Sequence, residues 1–260
     1  MADALPLHPE AGTPRPQGPG QEVRARRDRV REQAGSERWR SGRVALVTEA
    51  ARATLQLTGT ALTEQEIEAA RRGTPAPSFG PALGALGRIG RAAADRDPTE
   101  ELICELHALS AGLPGASPFR TVQIEPQFQG AGLSPPQTVP LRLGELLVWI
   151  TGASGRDLET APRAALFFAR FLEISPFERA NFRVAHLMLT FFALADDQPP
   201  IWFEVEDAAG IREDVSRAFR FDTAPLTQRI EGSLQRSLDL VALPGAVSRR
   251  SRGMPEPRGM

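Results

Sequence analysis

Two long apolar segments joined by a short proline-containing loop constrain the fold of this chain most strongly. The segments cover residues 162–174 and 179–195, and the loop between them reads Ser175-Pro176-Phe177-Glu178. Proline lacks a backbone N–H and disfavours helix in the preceding residue, so the first helix should end near residue 174. The second helix should begin within residues 178–181, where its free N–H groups would suit an anion. The pattern therefore predicts a helix–loop–helix unit with a candidate phosphate site at the loop.

The rest of the chain is also mostly helical in pattern. The predicted helices cover residues 44–58, 63–71, 99–112, 141–150, 162–174, 179–195, 212–221 and 226–240. Thr63, followed three residues later by Glu66, forms a capping box at the start of one of them. Residues 120–125 alternate polar and apolar side chains, with Val122 and Ile124 on one face, and predict the single strand. The expected fold class is all-α with one small β element.

Charge and proline content set the expected domain boundaries. The formal net charge is −1, and all 31 basic residues are arginine. Arginine outnumbers acid in residues 1–43 and 249–260, and five prolines lie in residues 1–20. These features predict a disordered Pro/Arg-rich N-terminal tail over 1–43, a folded domain over 44–245 and a disordered C-terminal tail over 246–260. Residues 22–43 could instead form a solvated helix held by charge pairs, or an arm for an anionic partner such as nucleic acid. Because acids dilute the arginines there, nucleic acid is the weaker expectation.

The cysteine content and the apolar segments of the sequence limit where in the cell the protein is expected. A lone cysteine, Cys104, excludes an intrachain disulfide framework and a cysteine-rich metal site. The N-terminus lacks the basic start and apolar stretch of a secretory signal. The longest apolar run, residues 184–195, is too short and too polar for a membrane span. The chain is therefore expected to be cytoplasmic, and its exclusive use of arginine suggests a bacterial source.

The loop and its neighbours resemble the signature of Fic-domain proteins, whose motif reads H-P-F-x-[D/E]-G-N-G-R-x-x-R. Here the corresponding residues run S-P-F-E-R-A-N-F-R-V-A-H from Ser175 to His186. The resemblance covers roughly residues 45–240 and implies a Fic-like helical bundle with a small β-hairpin flap. The matching motif positions are Pro176, Phe177, Asn181 and Arg183. The residues similar to the family's flap strand, called the flap segment below, are Arg120, Thr121, Val122, Gln123 and Ile124.

The resemblance also implies a chemistry. Active family members transfer AMP or another phosphate-containing group from a nucleotide to a target hydroxyl. The motif histidine acts as general base, the acidic residue holds Mg²⁺, and the glycines and arginines contact the phosphates. In this chain the nucleotide or phosphate would therefore be contacted by Arg179, Ala180, Asn181, Phe182 and Arg183.

The chain departs from the motif at the positions that carry this chemistry. Ser175 occupies the base position, and Arg179, a permanent cation that would repel Mg²⁺, occupies the metal position. Ala180 and Phe182 replace the two glycines, and His186 replaces the second arginine. We expect a degenerate domain, a pseudoenzyme without a metal site, which could bind ATP but not through Mg²⁺.

The segment over residues 44–71 resembles the family's inhibitory helix, whose pattern is [S/T]-x-x-x-E-[G/N]. The similar residues here run from Thr54 to Gly59, with Thr58 in place of the glutamate. In the family that glutamate pairs with the last motif arginine, which is His186 in this chain. Both ends of the inhibitory ion pair are absent, as expected where no activity needs restraint.

Three alternatives remain open from the residues. Arg179 could neutralise phosphate in place of Mg²⁺ and so preserve group transfer. His186 could supply the missing base, although it lies 11 positions after Ser175. The flap segment could retain a binding role by pairing with an as yet unknown protein partner as an added strand.

Overall fold

The computed structural model describes residues 19–115 and 118–242. Within these ranges the α-helices are α1 Pro19–Leu57, α2 Glu64–Arg71, α3 Gly80–Ala92, α4 Glu100–Ala111, α5 Val139–Thr151, α6 Ala153–Arg156, α7 Thr160–Ile174, α8 Asn181–Ala195, α9 Ala208–Ala218 and α10 Ala224–Ala242. Short 3-10 turns occur at Pro77–Phe79, Ala93–Asp95, Pro136–Thr138 and Val205–Asp207. The predicted all-α class is confirmed. The first 18 residues and the predicted C-terminal tail lie outside the described ranges.

Helix α8 is the centre of the bundle. It is apolar on nearly every face, which is the pattern of a helix buried on all sides. Helices α7, α3, α4 and α1 all contact it, and α10 packs on both α1 and α7. Phe167 of α7 meets Phe192 of α8 edge to face, with ring centroids 5.0 Å apart. This arrangement brings the start of α8 and the end of α1 to the same end of the bundle.

The N-terminal boundary differs from the sequence prediction. A disordered tail was expected to residue 43, but α1 begins at Pro19 and is interrupted only by the non-helical Gly35. Val23, Val30 and Trp39 are buried in the core. Apolar residues spaced between the arginines allow this part of α1 to pack on α10, so it is not a solvated helix.

Several arginines in the first part of this helix form contacts within the protein. Arg24 pairs with Glu159, and Arg31 pairs with Asp197. Arg27 donates to the Asp196 carbonyl. Cations already paired with acids in the same chain are poorly placed to serve as an arm for nucleic acid.

Helix α3 was not predicted, because residues 72–81 have the composition of a loop and four glycines lower the helix propensity of the segment that follows. Ala82, Ala85, Leu86 and Ile89 nevertheless form a buried stripe at the spacing of one helix face. Tertiary burial of this stripe against α4 and α8 outweighs the weak propensity.

The predicted strand and β-hairpin flap are absent from the part of the chain that the structure describes. Residues 118–125 form no regular secondary structure, and the backbone bends at Val122. A strand needs a partner for its backbone groups, and the flap segment has one backbone hydrogen bond to another described residue, from the Arg120 N–H to the Pro176 carbonyl. The alternating pattern therefore occurs in an irregular segment that has no neighbouring strand among the described residues.

No helix in the described ranges combines the length and the apolar character needed to cross a bilayer.

Candidate functional site

The motif loop that joins α7 to α8 is closed by unusual backbone conformations at both ends. Ser175 ends α7 at φ 44°, and Ala180 precedes α8 at φ 61°. A left-handed conformation costs a residue other than glycine about 1–2 kcal/mol. The Asn181 side chain offsets this cost by bridging the loop: its Oδ1 accepts the Phe177 N–H at 2.9 Å, and its Nδ2 donates to the Phe177 carbonyl at 2.7 Å. The shape of the loop thus depends on Asn181.

Phe177 and His107 fix the loop from the side of α4. Phe177 is buried, and its ring stacks on His107 with centroids 3.9 Å apart. His107 Nε2 lies 3.0 Å from the Arg179 carbonyl, which can only accept, so Nε2 carries the proton. Burial, together with the charges of Arg179 and Arg183, lowers the pKa of His107. His107 is therefore a neutral support for the loop.

Arg120 ties the flap segment to the same loop. Besides its backbone bond to Pro176, its buried guanidinium donates to four carbonyl oxygens, those of Ser175 (2.7 Å), Ser134 (2.5 Å), Ile174 (3.2 Å) and Val122 (3.1 Å). The sequence placed Arg120 on a strand edge. The structure instead makes it a buried anchor that sets the position of the flap segment relative to the motif.

Ser175 does not have the surroundings of a base or an activated nucleophile. It is only 4% exposed, and its Oγ donates to the Leu172 carbonyl at 2.6 Å, within the last turn of α7. No histidine or carboxylate of the described residues hydrogen-bonds to this hydroxyl. The residue at the base position caps a helix.

Phe182 turns its ring into the core. It is 8% exposed, and it belongs to an aromatic cluster with Phe128 (6.0 Å between centroids), Phe168 (5.8 Å) and His186 (6.2 Å). Phe128 follows the flap segment in sequence, so this cluster gives that stretch of chain a second attachment. One side of Phe182 still faces the cavity described next.

A cavity of about 450 Å³ lies at the start of α8, between the motif loop, the end of α1 and residue Gln127. Arg179 and Arg183 line it, and no carboxylate does. Arg183 donates from Nε to Thr58 Oγ1 at 3.0 Å and from Nη1 to the Ser110 carbonyl at 2.6 Å, both neutral acceptors. Arg179 is exposed, and its side chain has no partner among the described residues. Two uncompensated guanidinium groups make this cavity suited to a phosphate or another anion.

The residues at this site do not fit a magnesium ion. Mg²⁺ requires oxygen ligands, usually with a carboxylate, and the motif's metal position holds Arg179 instead. Across residues 19–115 and 118–242 there is no cluster of three or more His, Cys, Asp or Glu residues able to hold a metal.

The structure brings the inhibitory-motif positions of α1 against the motif helix. Thr58 accepts from Arg183 and donates to the Thr54 carbonyl at 2.8 Å. Thr54 Oγ1 lies 2.9 Å from His186 Nδ1 and donates to the Ala50 carbonyl. Gly59 ends this segment at φ 86°. Hydrogen bonds to the Thr58 and Thr54 hydroxyls, the first donated by the Arg183 guanidinium, thus connect α1 to α8, and sequence reasoning missed both pairings.

His186 is held as a neutral ring. Its Nε2 accepts the Phe203 N–H at 3.0 Å, so the proton lies on Nδ1, which donates to Thr54. Complete burial lowers the pKa of His186 to about 4, although Glu204 opposes the shift. The alternative in which His186 acts as the general base is contradicted by this geometry, because both ring nitrogens are engaged inside the core.

An ionic network fixes the end of α1 in this position. Glu49 is buried between Arg52 and Arg71, which holds α1 to α2. Arg52 also pairs with Glu204, which accepts from the Trp202 indole N–H. Ion pairs with Arg71 of α2 and with Glu204 therefore hold the end of α1, where Leu57 and Thr58 line the cavity.

Fold and site together define a helical bundle with a cationic cavity where its central helix begins. Residues 97–193 match the model of the Fic/DOC family, which confirms the resemblance read from the motif. The matched segment includes the flap segment, the motif loop and most of α8, whereas Thr54 and Thr58 lie outside it.

The fold is similar to those of solved Fic proteins. A Fic domain-containing signaling protein from Bacteroides thetaiotaomicron superposes with a TM-score of 0.72 at 19% identity, covering 86% of this chain and 97% of that one. Residues 134–508 of Fic-1 from C. elegans give a TM-score of 0.71 at 19% identity, covering 89% of this chain and 72% of that one. A Fic family protein from Desulfovibrio desulfuricans gives 0.56 at 18% identity, covering 95% and 78%. At these identities the likeness is one of fold.

Proposed function

We propose that this Fic-domain protein binds its ligands without catalysing the family's transfer reaction. In this proposal the Arg179–Arg183 cavity holds a phosphate group without metal, and the flap segment binds a peptide. ATP is the first nucleotide to test.

The surroundings of Ser175, the residue at the motif's base position, are the main support for this proposal. Transfer to a hydroxyl needs a group that can accept its proton, and such groups contribute roughly 10²–10⁴-fold to rate. The Ser175 hydroxyl donates to a carbonyl. The chain has 3 histidines, of which His107 and His186 are buried neutral supports and His8 lies outside the described residues. Ser175, His107 and His186 are each at most 5% exposed, so none of the three presents a base to a ligand in the cavity.

The proposed phosphate site follows from charge. Arg183 uses two of the five N–H groups of a guanidinium on neutral acceptors, which leaves three for a ligand. Arg179 has all five available with respect to the described residues. A forked guanidinium neutralises phosphate oxygens directly, so binding would need no cation.

The proposed peptide site rests on the flap segment. The backbone N–H groups of residues 121–124 form no hydrogen bond with another described residue, and Val122 is 52% exposed. Arg120 and Phe128 anchor the chain on either side of this exposed stretch. Backbone N–H groups without a partner, on a segment anchored at both ends, are available for pairing with an added strand.

Calorimetric titration of the full chain with ATP, once with Mg²⁺ and once with EDTA, tests the phosphate site. We expect equal affinity in both buffers and about a 10-fold or greater loss in Arg179→Ala, since a charge-assisted hydrogen bond contributes about 1.5–3 kcal/mol. Arg212→Ala, which removes an exposed arginine on α9, is the matched control. Absence of binding in both buffers, or binding only with Mg²⁺, contradicts the proposed site.

Capture of a partner by the full chain tests the peptide site. Val122→Pro removes a backbone N–H and should abolish capture, whereas Val122→Thr keeps the N–H and should retain it. Equal capture by both variants would exclude the flap segment as the contact.

Metal-independent transfer is the second candidate function, and the exposed Arg179 in the cavity favours it. It would appear as transfer of labelled AMP to protein in EDTA, lost in Arg179→Ala. If no transfer occurs with any nucleotide while ATP binds, the binding function stands.

A further inference from the structure

We infer that the partner of this protein is an extended peptide that carries a phosphorylated serine, read by the flap segment and the arginine cavity together. The inference rests on the proposed peptide and phosphate sites, and it adds that one ligand occupies both.

The two sites are continuous along the chain. Gln127 lines the cavity, and it lies three residues after Ile124, the last residue of the flap segment. Three residues span at most about 10 Å when fully extended. Ile124 therefore lies within about 10 Å of Gln127, and a peptide paired with the flap segment can extend its next side chains towards the cavity.

The charge of the cavity selects the side chain that enters it. Arg179 and Arg183 line the cavity without a carboxylate, in a chain whose net charge is −1. A phosphoserine carries about 1.5–2 negative charges and three acceptor oxygens, enough to engage both guanidinium groups. A neutral serine would leave both cations without a counter-charge, so the phosphate should dominate recognition.

The fixed position of the flap segment beside the cavity supports recognition of one peptide by both sites. Arg120 fastens the start of the flap segment to the motif loop, and Phe128 packs on Phe182 of α8 just beyond Gln127. The spacing between the exposed backbone and the two arginines is thereby set before a ligand arrives, which reduces the entropy lost on binding.

Fluorescence polarisation of the full chain with two peptide libraries tests the inference. One library has a fixed central phosphoserine, and the other has serine at that position. We expect the phosphoserine library to bind at least about 10-fold more tightly, consistent with one or more charge-assisted hydrogen bonds. Arg179→Gln should remove this preference without changing the binding of the serine library, and Arg212→Gln should change neither. Val122→Pro should weaken the binding of both libraries, and Val122→Thr should not.

Each contrary outcome has a distinct meaning. Equal binding of the two libraries overturns the phosphopeptide inference and leaves the peptide site standing. Phosphoserine binding that persists undiminished in Val122→Pro, or that inorganic phosphate at millimolar concentration fully competes, shows a phosphate site that does not read a peptide. If neither library binds while ATP does, the peptide part of the proposed function fails together with the inference.

Discussion

Lowering the pH from 7 to 5 should destabilise this protein through His186. The ring is 1% exposed, and its Nε2 accepts the Phe203 N–H, a bond that a protonated ring cannot form. The pKa of His186 falls from 6.5 to about 4 in the folded protein because of burial. At pH values between about 4 and 6.5, His186 is therefore protonated in the unfolded chain but not in the folded protein.

The sign and size of the effect follow from this difference. The contribution of neutral His186 to stability is fully present above about pH 6.5. It decreases as the pH falls towards 4, because protonation of His186 then favours the unfolded state. The contribution of His186 amounts to a loss of about 2 kcal/mol between pH 7 and pH 5, rising to about 3 kcal/mol below pH 4. That is a large fraction of the 5–15 kcal/mol typical of a folded protein, so it should be measurable.

Urea unfolding at pH 7, 6 and 5 measures this loss, and the comparison is with His186→Gln, which cannot titrate. The variant should be less stable at pH 7, but its stability should fall by about 2 kcal/mol less between pH 7 and pH 5. NMR titration of the His186 ring in the unmodified protein gives an independent value. Identical pH slopes in the two proteins, or an NMR pKa near 6.5, would refute the reasoning.

Three further predictions test the contacts around the motif. Thr54→Val keeps the side-chain shape but leaves the His186 Nδ1–H without its acceptor. Urea unfolding should show that the free energy of unfolding falls by about 1–3 kcal/mol. The control Thr74→Val, at an exposed threonine, should lower it by less than about 0.5 kcal/mol. Ala180→Gly should raise the free energy of unfolding by about 0.5–1 kcal/mol, because glycine adopts the left-handed backbone conformation of residue 180 without strain. Ala169→Gly in α7 should instead lower it by about 1 kcal/mol or more. A destabilised Ala180→Gly variant would contradict the strain argument. Arg120→Lys cannot reach four carbonyls at once, so residues 118–135 should become more susceptible to limited proteolysis; unchanged cleavage would mean that Arg120 is not the anchor.

Signals carried by neighbouring residues were read correctly from the sequence. The end of α7 at Ile174 follows from Pro176, and the start of α2 follows from the capping box of Thr63 and Glu66, which the structure contains. The departures from the family motif were equally legible, because an arginine at position 179 is a cation in any fold.

Signals that depend on a partner elsewhere in the chain were read wrongly. Alternation over residues 120–125 predicted a strand, but no neighbouring strand exists in the described ranges to complete it. The loop-like composition of residues 72–81 gave no sign of helix α3, which burial stabilises, and the arginines of α1 predicted a disordered tail where Glu159, just before α7, and Asp239 of α10 pair with them.

The sequence by itself determined the class of fold, the central helix–loop–helix and the departures from the family's motif, because propensity, capping and side-chain charge are local properties. Only the tertiary structure decided that Phe182 packs into the core, that His186 is neutral, and that Arg179 and Arg183 share a cavity without a carboxylate. Those facts depend on Thr58, Thr54 and Phe203 meeting α8 across long stretches of chain. Contacts between residues that far apart are fixed by packing, which spacing along the sequence does not encode.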